Sequence, residues 1–148
     1  PAATLPFIET NGMQLRLIMG ELLGEVSPVT TYSPTLYAEC LLEAEAQLEL
    51  PFAAAQLAIY VAEGTADVCG KMLTAGEMLV LHPREQVSLR GQDTARLMLV
   101  GGEPLGQRHM FWNFVSDDPV RIEQAKTKWR EGRFPRVPGD NEYVPLPE

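Results

Sequence analysis

The chain has 148 residues, 45% of them hydrophobic and 22% charged, which is enough for one proper core and too short for two ordinary domains. A net charge of −8 argues against a protein whose work is to neutralise phosphates, because nucleic-acid binders carry a basic field. No apolar run approaches membrane-spanning length, and the start PAATLPFIET lacks the basic end and continuous apolar core of a signal peptide.

These features lead us to expect a soluble, cytoplasmic protein with neither membrane nor nucleic acid as a direct partner. Pro1 without a preceding methionine points to processing or trimming.

Residues 1–10 read as a lead-in. After the Asn11-Gly12 turn signal, MQLRLIMG alternates weakly, and TLYAECLLE places Leu36, Ala38 and Cys40 on one face with Tyr37 and Leu41 on the other. Glu43 and Glu45 belong to a solvated loop. LAIYVAEG, ADVCG, EMLVLHP, QVSLRG and ARLMLVGG then follow at the spacing of an all-β sandwich or barrel. Turn signals fall at Glu63-Gly64, Ala75-Gly76, Pro83, Gly91 and Gly101-Gly102. The expected body is an antiparallel barrel or double-sheet jelly roll, which limits exposed strand edges. Cys40 and Cys69 lie in strand-like stretches without C-x-x-C or zinc-like spacing, and read as small hydrophobes in a reducing compartment.

Beyond Gly102 the pattern changes. RHMFWNFVS is an aromatic extended stretch in which Trp112 is a core or interface anchor. DDPVRIEQAKTKWREG is a helix: Asp118 caps it, Pro119 suits its first position, and Gly132 suits the left-handed position past its end. Asp117 and Asp118 favour a helix start electrostatically. Ile122, Ala125 and Trp129 form a narrow apolar stripe, with Arg121 and Lys128 off it in water. Pro135, Pro138, Pro145 and Pro147 give an extended tail with a turn at Pro138-Gly139. The expected organisation is one domain over 1–148, with the barrel at 11–115, the helix at 117–131 and the tail at 132–148. Between Arg108 and Arg136 seven basic residues face four acidic ones, a bias that a solvated helix face explains.

Candidate chemistry is sparse. His82 and His109 are the only histidines, on separate elements with no H-x-H spacing, and read as ordinary surface or hydrogen-bonded residues. No G-x-S-x-G elbow is present, and GGEPLG lacks the P-loop lysine.

GGEPLGQRHMFWNFVS, RIEQAKTKWREGRFPRVPGD and YVPLP, with MQLRLIMGE and SPVTTYSPTLY upstream, resemble the second half of a pirin-family protein, within the cupin superfamily. The likeness runs from about Asn11 to the end. It implies a cupin-type jelly-roll antiparallel β-barrel with one C-terminal helix and an extended Pro-rich tail. Proteins of this kind carry two barrels. The resemblance places iron or another divalent metal in the first, on three histidines and a glutamate, and associates the whole with quercetin 2,3-dioxygenase activity or transcriptional co-regulation.

The cupin pattern H-x-H, E, G can be laid on this sequence with Gly64 as its closing glycine. The glutamate slot then falls on Leu57, and the histidine slots on Pro51 and Ala53, or on Leu50 and Phe52 in the longer spacing. The second motif, P-x-G-x-x-H, puts its histidine slot on Ser88, or on Val87 if the register slips by one. None offers the imidazole or carboxylate that such iron requires. The expectation is therefore a barrel with no catalytic, cofactor-binding or metal-binding residue of its own. Its expected role is structural and docking, against a second cupin barrel or another copy of the chain. The other readings are one half of a dioxygenase whose iron lies in the first barrel, and a regulatory module for a protein partner.

Overall fold

Asn11 and Gly12, with φ of 45° and 76°, reverse the chain between β1 (Phe7–Thr10) and β2 (Met13–Met19), and Thr10 pairs with Met13. Two left-handed residues in a row match the twist of a tight hairpin. The lead-in expected over 1–10 thus contains a strand. The computed structural model describes residues 5–51, 54–82, 86–140 and 142–147. Contacts divide the chain into two compact units, Pro1–Pro104 and Leu105–Glu148, so residues 105–115, grouped with the barrel on sequence, lie in the second.

The first unit continues with β3 (Glu21–Leu22), β4 (Glu25–Val26), β5 (Thr35–Leu42), β6 (Gln47–Pro51) and β7 (Gln56–Glu63). Then come β8 (Thr65–Val68), β9 (Lys71–Thr74), β10 (Met78–Leu81), β11 (Gln86–Gly91) and β12 (Ala95–Gly102). A six-stranded sheet has the order β1-β2-β5-β12-β7-β10, a four-stranded sheet the order β6-β11-β8-β9, and every pairing is antiparallel. Non-sequential neighbours of this kind make a jelly roll. One apolar cluster unites the sheets: Leu15, Leu17, Ala38, Cys40, Ile59, Val61, Leu97 and Leu99 from the larger, and Leu50, Val68, Val87 and Leu89 from the smaller. Strand alternation supplies it, since successive side chains point to opposite faces.

Two sequence expectations need correction. Gly91 and Gly101-Gly102 do not make turns; they end β11 and β12. A Cβ at Gly91 would sit 2.4 Å from the Glu43 carbonyl oxygen, and one at Gly101 2.7 Å from that of Gln56, so glycine there permits close backbone approach. Cys69 lies in the two-residue turn between β8 and β9, not in a strand, with φ 54° beside Gly70 at 84°. The expected turn at Pro83 lies outside the described residues.

The second unit contains β13 (His109–Phe111), β14 (Phe114–Ser116) and α1 (Pro119–Arg130). Asp118 caps α1, accepting the Val120 N–H at 2.8 Å. Gly132 at φ 63° follows it, and the N–H groups of Gly132 and Arg133 donate to the carbonyls of Trp129 and Lys128 at 3.0 and 2.9 Å. That pair of bonds satisfies carbonyls the helix leaves open. Ile122 is buried and Ala125 and Trp129 half-buried, while Arg121 and Lys128 are exposed. Gly139 at φ 82°, with Asp140 N–H bonded to the Val137 carbonyl, forms the turn in the tail. No helix among the described residues is long and apolar enough to cross a membrane.

Gly20 and Gly24 separate steric from conformational demands. Both have positive φ, 87° and 81°, but a Cβ at Gly20 would lie 2.2 Å from the Thr35 carbonyl oxygen while one at Gly24 meets nothing within 4 Å. Gly24→Ala should cost about 1–2 kcal/mol from the backbone alone, and Gly20→Ala a further ~1–3 kcal/mol for the overlap. Urea unfolding measures both, and equal losses would show that the Thr35 contact is not tight.

Candidate functional site

The positions where a cupin ligand set would stand divide by strand parity. Leu57 opens the buried run of β7 and pairs with Leu81 on β10 and Gly101 on β12. Leu50 on β6 stands opposite Val87 on β11. Relative exposures of 3%, 1% and 0% for Leu57, Leu50 and Val87 place all three in the shared core. The competing positions face the other way: Pro51 is exposed, and Ser88 is half-buried on the opposite side of its strand from Val87. Phe52 and Ala53 lie outside the described residues. Gly101 leaves the room that Leu57 occupies, because a Cβ there would come within 3.1 Å of Leu57 Cδ1.

The histidines do not share an element or a unit. His82 is exposed just after β10, and His109, half-buried, opens β13 opposite Ser116. Among the described residues no three His, Cys, Asp or Glu side chains gather. Glu45 pairs with Arg90 in the solvated loop expected for it, and Asp117 and Asp118 serve the start of α1.

Trp112 and Trp129 meet edge to face at 4.9 Å, within a cluster that includes Phe114, Phe134 and Tyr143. The Trp129 indole N–H donates to the Val144 carbonyl at 2.8 Å, which ties the tail to the helix. Beside them Arg136 helps line a cleft of about 230 Å³.

A feature missed on sequence lies on the outer face of the six-stranded sheet. Arg16, Glu39, Arg96 and Glu63 form an ionic ladder across β2, β5, β12 and β7. Arg16 Nε is 3.7 Å from Glu39, Arg96 contacts Glu39, and Arg96 Nε is 3.3 Å from Glu63. Glu63 has the parity of the core residues of β7, but the register shift at Arg96/Leu97 sets it opposite Arg96. A bulge re-aims a side chain in this way. Phe7 extends the ladder, with the Arg16 guanidinium 5.5 Å from its ring centroid.

Residues 37–135 match the Pirin C-terminal cupin domain. The chain belongs to the pirin family. A pirin-like protein of Caulobacter vibrioides is 42% identical over 147 residues, covering 99% of this chain and 51% of that protein. Pirin-1 of Arabidopsis thaliana is 30% identical over 82% of the chain and 45% of its own length. Among solved structures, quercetin 2,3-dioxygenase from Acinetobacter baumannii superposes with a TM-score of 0.86 at 25% identity, over 97% of this chain and 50% of that one. The chain thus spans about half the length of the relatives it matches. In this pirin domain Leu50, Leu57 and Val87, the buried members of the positions the cupin pattern marks, present only hydrocarbon and do not fit a metal ion, which needs nitrogen or oxygen donors.

Cys40 lies in the same core. Burial first, and the neighbouring Glu39 carboxylate second, push its thiol up to about 12 from an ordinary value of 9.0. The folded state therefore keeps the proton after the unfolded chain has lost it. The resulting stability is present below pH 9 and drains as pH rises towards about 12, by ~1.4 kcal/mol per pH unit. Urea unfolding of wild type and Cys40→Ala across pH 8–11 should show the wild type losing stability relative to the variant above pH 9. Parallel curves would place the Cys40 thiol in contact with water.

Proposed function

We propose that this pirin domain is a metal-free barrel with a structural and docking role, working beside another barrel instead of performing chemistry itself. The observation that carries this reading is the apolar filling of the ligand positions: Leu50 against Val87 across two strands, and Leu57 over Gly101. A jelly roll that binds a metal must hold polar donors in its interior and satisfy them with further hydrogen bonds. This one fills that interior with leucine and valine, and the gain is hydrophobic stability, about 1.5–3 kcal/mol for each fully buried side chain.

The second reading draws on the name of the Acinetobacter baumannii neighbour, quercetin 2,3-dioxygenase. In that reading the chain supports a dioxygenase whose iron and catalytic residues lie in a first barrel outside these 148 residues. Both readings agree on the role of this domain, which is to shape and brace. A reducing, cytoplasmic setting fits its two free cysteines.

Metal analysis of the purified chain after incubation with iron, nickel, copper and zinc tests the first reading. All four should remain well below one ion per chain after dialysis. One ion per chain, lost on His82→Ala or His109→Ala, would contradict it.

A further inference from the structure

We infer that the cleft between the last turn of α1 and the tail binds a small zwitterion, a quaternary ammonium group joined to a carboxylate by a short linker. The cleft lies within the second unit, and its residues take no part in either reading of the barrel. Three aromatic side chains line it: Trp129, Phe134 and Tyr143. The Phe134 ring centroid is 5.6 Å from that of Trp129 at a tilt of 59°, and the Tyr143 centroid 6.2 Å from it at 24°. A satellite core would close such rings off from water, yet Phe134 is 38% exposed and Tyr143 57%. Their positions are nevertheless fixed. The Trp129 indole N–H is held by the Val144 carbonyl, Trp112 braces Trp129 edge to face, and Phe134 stacks on Phe114 at 5.8 Å. Pro135 and Pro138 stiffen the chain that carries them. Walls ordered in advance lose little entropy when a ligand enters.

Charge selects the occupant. Aromatic faces carry the negative side of the ring quadrupole and attract a cation. Asp140 and Glu142 line the same cleft, in a turn that the Asp140 carboxylate holds by accepting the Glu142 N–H at 2.8 Å. Rings and carboxylates together favour a positive group. A primary ammonium is compact and strongly hydrated, whereas a quaternary one presents methyl groups to the rings and gives up its water more readily. Arg136 supplies the opposite charge in the cleft, and among the described residues it forms no ion pair. Its guanidinium has the geometry to hold a ligand carboxylate by two hydrogen bonds. A simple cation would meet Arg136, and a simple anion would meet two carboxylates; a zwitterion satisfies both. The cleft holds about 230 Å³, below the roughly 300–1,000 Å³ of pockets for drug-sized ligands, so the ligand is a small one.

Glycine betaine is the probe. Titrated into the 148-residue chain from about 0.1 to 50 mM, to bracket a millimolar Kd, it should change the indole fluorescence saturably. Saturation-transfer NMR should show its N-methyl protons in contact with the protein. The wild-type chain alone distinguishes the ligand chemistry: tert-butylacetate, the same shape without the positive charge, should bind about tenfold more weakly. Choline, which lacks the carboxylate, should also bind more weakly, and Arg136→Gln should abolish the advantage of betaine over it. Phe134→Leu and Tyr143→Leu should weaken both cations about fivefold or more with native circular dichroism, while Tyr143→Phe, which keeps the ring, should bind as wild type does. Betaine that fails to saturate, or tert-butylacetate that binds equally well, would overturn the inference. Choline binding as tightly as betaine would remove the zwitterion, and full affinity in both folded leucine variants would place the binding elsewhere.

Discussion

Leu50, Leu57 and Val87 meet the rest of the core from both sheets, and the fold of the first unit depends on that dry contact. A two-sheet jelly roll has little else to hold its layers together, since backbone hydrogen bonds run within each sheet and not between them. The same three residues stand where the cupin pattern would place metal donors. Stability and chemistry compete for one interior, because a polar donor there would have to be desolvated and satisfied, whereas a leucine only has to pack. In this chain Leu50, Leu57 and Val87 are packed in the shared core.

The outer sheet face carries an ordered charge ladder on a bed of Tyr, Met and Val, and a single bulge brings Glu63 into line with Arg96. Exposed ion pairs contribute little to folding. Their alternation joins four strands that lie far apart in the sequence.

Much of this was legible in the residues. Period-two alternation in TLYAECLLE gave the correct faces, and Asp118, Pro119 and Gly132 bounded the helix because capping chemistry is local. Asn11-Gly12 announced a hairpin whose first strand, Phe7–Thr10, went unread because four residues with only two apolar side chains make a weak signal. Gly91 and Gly101-Gly102 misled as turns because a glycine needed for close approach to a neighbouring strand looks, in one dimension, the same as a glycine needed for positive φ. The ladder was invisible for a deeper reason: Arg16, Glu39, Glu63 and Arg96 are far apart in sequence, and only the strand order and the bulge make them neighbours. At the candidate site the spacing marked alternative positions, and strand parity places Leu50 and Val87 in the core with Pro51 and Ser88 on the other side.

The unfolding free energies of Leu50→Ala, Leu57→Ala and Val87→Ala test most directly whether the would-be ligand positions are core. If these side chains fill the space between the sheets, each leucine variant should lose about 2–5 kcal/mol, with Val87→Ala losing less. Losses below about 0.5 kcal/mol at all three, the level of an ordinary surface change, would mean that the interior is open to solvent and available to a ligand after all.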